Sequence, residues 1–88
     1  MDEKTLIEWA VKGIHAEIAK LEKDINTGKQ LLLQYERREK PKTTKTPDEI
    51  RDIISEKRVE INKLDRQRFD LTWRVVEIEE EEKKKGGV

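Results

Sequence analysis

No cysteine occurs in the chain, which excludes disulfides and thiolate metal sites. The single histidine, His15, has no Glu-x-x-His motif around it, so the usual carboxylate–histidine metal site of a helical bundle is missing too. No cofactor or metal is expected on these grounds. Long hydrophobic runs are also lacking: nothing approaches a signal-peptide core or a membrane span, which points to a cytoplasmic protein with no membrane partner. Neither sign of charge is in excess, because 20 basic and 20 acidic residues cancel. No global field therefore favours nucleic acid or an anionic surface.

What the chain has in abundance is charge itself. Charged residues make up 45% of the 88 positions and hydrophobic ones only 33%, against a usual charged share of about 25%. A chain this small and polar buries little core alone and ordinarily needs disulfides, metal or oligomerisation. With the first two excluded, oligomerisation is the expectation, most simply a homodimer or higher homo-oligomer.

The stretch TGKQLLLQ (Thr27 to Gln34) has the outline of a phosphate-binding loop. That loop requires an earlier glycine, where Lys23 stands, and a hydroxyl after the lysine, where Gln30 stands. The preceding residues have helical rather than strand periodicity, so nucleotide binding is not expected.

Apolar residues at Ile7, Val11, Ile14, Ile18, Leu21, Ile25, Leu32 and Tyr35 advance in steps of four and three and define a heptad seam. Gly28 fills the one empty slot, at a cost of roughly 1 kcal/mol of helix propensity relative to alanine, and predicts a thin core, a kink or a close helix approach. A second seam runs through Ile50, Ile54, Ile61, Leu64, Leu71, Val75 and Ile78, interrupted by Lys57 and Arg68, whose long stems can cover apolar surface. Thr46-Pro47-Asp48-Glu49 reads as a helix start, with a cap, a proline at the first helical position and glutamate three residues after the cap. Thr5-Leu6-Ile7-Glu8 forms a similar box for the first helix, and Asp2 offers a cap one turn earlier. Glutamates at 79 to 81 precede lysines at 83 to 85 by four residues each, a favourable order that also suits the helix dipole.

These signals predict one domain spanning 1–88, all-α: a coiled-coil-like antiparallel two-helix hairpin, assembling as a dimeric four-helix bundle. The first helix is expected over about 3–39, the turn over about 40–46 and the second helix over about 47–85, with a short frayed tail. Folding back around residues 43 and 44 would set Ile14 level with Trp73 and Ile18 level with Phe69.

Two clusters stand outside the seams. Leu6, Trp9, Ala10, Gly13 and Ala16 widen the apolar arc of the first helix, and Phe69, Trp73 and Val76 form a stripe away from the seam of the second. Both fall where the termini meet. Leu6, Trp9, Gly13, Phe69, Trp73 and Val76 are therefore the expected self-association surface, with best hydrogen-exchange protection around 7–21 and 64–78 and a looser tip half containing Gly28 and Lys57. An unidentified protein partner is the alternative occupant. At the turn, Arg37, Arg38, Lys40, Lys42 and Lys45 outweigh Glu36 and Glu39 to leave +3. That makes the tip the candidate contact for anions or nucleic acid, although no aromatic interleaves the cluster.

Finally, RVEINKLDRQRFDLTWR (Arg58 to Arg74) resembles the opening helix of the all-helical chorismate mutases, in which spaced cations grip a dicarboxylate. Arg58, Ile61, Leu64, Asp65 and Leu71 match that family's spacing, whereas Arg68 stands at a core leucine and Val75 at the second cation. The resemblance implies a small mutase-like enzyme; the heptads imply arginines on a wet helix face. The leading expectation is a non-enzymatic protein–protein interaction module, followed by a nucleic-acid-binding hairpin and then by such an enzyme.

Overall fold

The computed structural model describes residues 2–86; Gly87 and Val88, part of the expected tail, lie outside them. Two helices, α1 (Glu3–Glu36) and α2 (Pro47–Gly86), pack side by side, with no strand among the described residues. They form an antiparallel hairpin measuring 70 × 18 × 16 Å.

Local chemistry explains where each helix starts. At α1 the cap is Asp2, whose carboxylate accepts from the Thr5 amide at 2.8 Å. Thr5 therefore lies inside the helix, and the box beginning there is not used. At α2 the Thr46 hydroxyl accepts from the Glu49 amide at 3.2 Å, and Pro47 occupies the first helical position, where its missing N–H costs nothing.

α1 stops at Glu36, earlier than the expected 39. Arg37 caps it and Arg38 turns left-handed with φ 58°. The Glu39 amide donates back to the Gln34 carbonyl at 2.9 Å and the Arg38 amide to the Tyr35 carbonyl at 3.1 Å. These two bonds satisfy carbonyls that the helix end would leave orphaned, and the left-handed residue is of a kind normally supplied by glycine. Nothing in the residue type announces this stop.

The early stop moves the register. His15 lies beside Arg68, not beside the expected Thr72, with its Nδ1 3.5 Å from the guanidinium. Lys4 reaches Glu79 at 3.1 Å where Lys83 was expected, and Asp24 reaches Lys57 at 3.2 Å. Ile14 is thus not level with Trp73 but about a helical turn away from it.

The core corrects a second expectation. Ile25, Ile50 and Ile54 form the buried cluster, with Leu31, Leu32, Tyr35 and Ile61 packed around it, all in the tip half. Ile50 is the most buried residue, 2% exposed. Gly28 makes this possible: a Cβ built there would sit 3.0 Å from both Cδ1 and Cγ1 of Ile54. The glycine marks a close helix approach, not a thin place. Lys57 lays its stem over this region and carries its charge to Asp24, so it does not loosen the seam. Tyr35 then anchors the turn, its hydroxyl donating to the Lys45 carbonyl. At the open end Ile7, Ile18 and Leu21 are buried on α1, but Leu64, Leu71, Val75 and Ile78 opposite are only half-buried.

Candidate functional site

Six large apolar side chains are left in solvent among the described residues: Leu6, Trp9, Phe69 and Trp73 near the termini, Val59 midway along α2 and Leu33 near the turn. Leu6 is 54% exposed, Trp9 60%, Phe69 67% and Trp73 57%. Val76 is half-buried, and Gly13 is exposed with nothing within 4 Å of a Cβ built on it. Soluble monomers seldom carry apolar surface of this kind without using it.

The two halves of the surface share an end but not a side. Glu3 pairs with Arg74 on one flank of the hairpin, at 2.9 Å, and Lys4 pairs with Glu79 on the other. On α1, Leu6, Ala10 and Gly13 follow Glu3 at steps of three and four, so they belong to the Arg74 flank. On α2, Val76, Thr72 and Phe69 precede Glu79 at the same steps and belong to the opposite flank. Trp9 and Trp73 project from the backs of their helices. The expected single face is therefore two faces. Phase relative to the seam, which decides this, is fixed only once the ion pairs assign each flank.

The ends of the helices are held by exposed charge. Arg74 lies between two carboxylates: Nε donates to Glu3 Oε1 at 2.9 Å and Nη1 to Glu77 Oε2 at 3.2 Å. The hydrogen bond from Arg74 holds the Glu3 carboxyl below its ordinary value, and the two carboxylates raise the guanidinium's. Asp2 is lowered by the Thr5 amide it caps, and Lys4 is raised by Glu79. Asp2 and Glu3 are exposed and Lys4 and Arg74 half-buried, so solvent screening leaves these contacts fixing alignment more than stability.

A shallow hollow lined by Phe69, Asp70, Trp73, Arg74 and Glu77 runs along the outer face of α2. A second, lined by Val59, Asn62, Lys63, Arg66, Gln67 and Asp70, continues it toward the turn. Sequence reasoning missed Val59, which is 53% exposed; its signal was the three-and-four spacing that leads from it through Asn62 and Arg66 to Phe69.

At the tip, Arg37, Arg38, Lys40, Lys42 and Lys45 are all exposed, and none has an ion-pair partner among the described residues. Two of the residues behind the mutase-like resemblance have other neighbours. Asp65 is taken up by Arg68 at 2.8 Å. Val75, where that pattern needs a cation, lines a hollow with Ile7, Glu8, Val11, Lys12 and Thr72. Among the described residues, no group of His, Asp or Glu could hold a metal ion, and no helix is long and apolar enough to cross a membrane. Comparison with protein-family models, characterised proteins and solved structures finds no match.

Proposed function

We propose that this chain is a non-enzymatic, cytoplasmic helical-hairpin module that self-associates through the apolar surface near its termini. In that reading two hairpins build a four-helix assembly and present its outer surfaces to other macromolecules. The supporting observation is the exposure of Leu6, Trp9, Phe69 and Trp73, each more than half in solvent, at one end of a 70 Å rod. A core confined to so few buried isoleucines and leucines would gain from covering it.

The test is the mass in solution. Light scattering at tens of micromolar is expected to return twice the chain mass of 10.5 kDa or more. Truncating an aromatic in a well-packed interface commonly costs 2 kcal/mol or more, so Trp73→Ala should weaken association by more than about tenfold. A single-chain mass for the parent protein would defeat the proposal.

A further inference from the structure

We infer that the outer face of α2 is a second heptad seam, and that its occupant is α2 of a second copy running antiparallel to it. The inference rests on the self-association reading and narrows it to one helix. Val59, Asn62, Arg66, Phe69, Trp73 and Val76 alternate steps of three and four along α2, all exposed except Val76, which is half-buried at the end of the line. The two shallow hollows lie end to end along this line.

Charge selects the direction. In a parallel pair, like positions stack and flanking positions meet five residues apart. Arg66 would then face its own copy, Arg58 would face Lys63 and Asp65 would face Asp70. All three are repulsive, whereas the two favourable pairs, Arg51 with Glu56 and Glu79 with Lys84, lie toward the helix ends beyond the apolar stretch.

An antiparallel pair about a two-fold axis between Arg66 and Phe69 reverses this. Val59 meets the partner's Val76, and Arg66 covers the partner's Phe69 ring, a cation–π contact. Lys63 lies between the partner's Asp70 and Glu77, and Arg58 comes beside the partner's Glu79. The axis almost bisects α2, so the two 40-residue helices overlap along nearly their whole length. Sliding one heptad toward the turn sets Lys63 against its own copy and Glu56 against Asp70. Sliding one heptad the other way sets Asp65 against Glu79. The chosen register retains two like-charge contacts, Asp70 with its own copy at the axis and Glu56 with Glu77, and Glu77 already holds Arg74 at 3.2 Å. The interface is isologous, and the Leu6–Trp9 face stays outside it.

The absence of cysteine makes the test clean. Full-length Val59→Cys and Val76→Cys chains, mixed and oxidised, are expected to yield mainly the mixed disulfide. A predominance of either self-disulfide, or cross-linking no better than that of Trp9→Cys chains, overturns the pairing. Light scattering separates the levels of failure. Here Trp73→Ala loses the dimer by more than about tenfold in dissociation constant, while Trp9→Ala keeps it. If Trp9→Ala dissociates and Trp73→Ala does not, the α2 pairing falls but self-association stands. A parent protein of single-chain mass removes both.

Discussion

The hydrogen that serves as a side chain at Gly28 sets how closely α1 and α2 approach. Ile54, the residue a Cβ would meet at 3.0 Å, packs with Ile25 and Ile50 in the buried cluster and would have to shift to admit it. Overpacking a core of this kind costs roughly 1–3 kcal/mol, while alanine recovers about 1 kcal/mol of helix propensity. Gly28→Ala is therefore expected to lower stability by about 1 kcal/mol. Gly13 faces open space, so Gly13→Ala should raise it by a similar amount. Urea denaturation of the two variants under identical conditions measures both; equal signs would contradict the close-approach account.

At the level of the helix, the tip half carries the buried cluster and the anchored turn, whereas the open end is half-buried along α2. Slowest amide exchange is thus expected within 25–35 and 50–61, with faster exchange toward the termini; a maximum around 7–21 would show that the cluster is not the stability centre. The first turn of α1 adds a pH-dependent element. Arg74 holds the Glu3 carboxyl below its ordinary 4.5, so folding favours the ionised form. That contribution is complete above pH 4.5 and is lost as pH falls through the depressed folded value. In an NMR titration, Arg74→Gln should move the Glu3 midpoint up toward 4.5, and an unmoved midpoint would disown the contact. Both helix starts and both seams could be read from the chain, because caps and heptads are local patterns written in residue type. The α1 stop could not, since it depends on Arg38 adopting a conformation that arginine rarely takes. From that stop follow the register and hence the level of each aromatic. Trp9, Phe69 and Trp73 were legible as surplus to the seams, but the side each faces was not.

For the whole molecule, the cations of the turn, unpaired among the described residues, and the exposed aromatics Trp9, Phe69 and Trp73 lie toward opposite ends of the rod. If the apolar end governs association, replacing Arg37, Arg38 and Lys42 together by glutamine should leave the mass by light scattering unchanged. Binding to DNA or RNA at low salt is expected to stay at non-specific background for both proteins. A steep salt dependence abolished by the triple variant would instead move the function to the turn. The dimensions of the hairpin carry a further consequence, a hydrodynamic one. Its radius of gyration is 19.8 Å, whereas a compact chain of this length would have about 12 Å. Friction follows shape as well as mass, so even a single hairpin diffuses slowly and leaves a gel-filtration column early, in the position of a globular protein well above its own weight. Its tumbling is anisotropic too: rotation about the long axis is faster than end-over-end rotation, and tryptophan fluorescence anisotropy should decay with more than one correlation time.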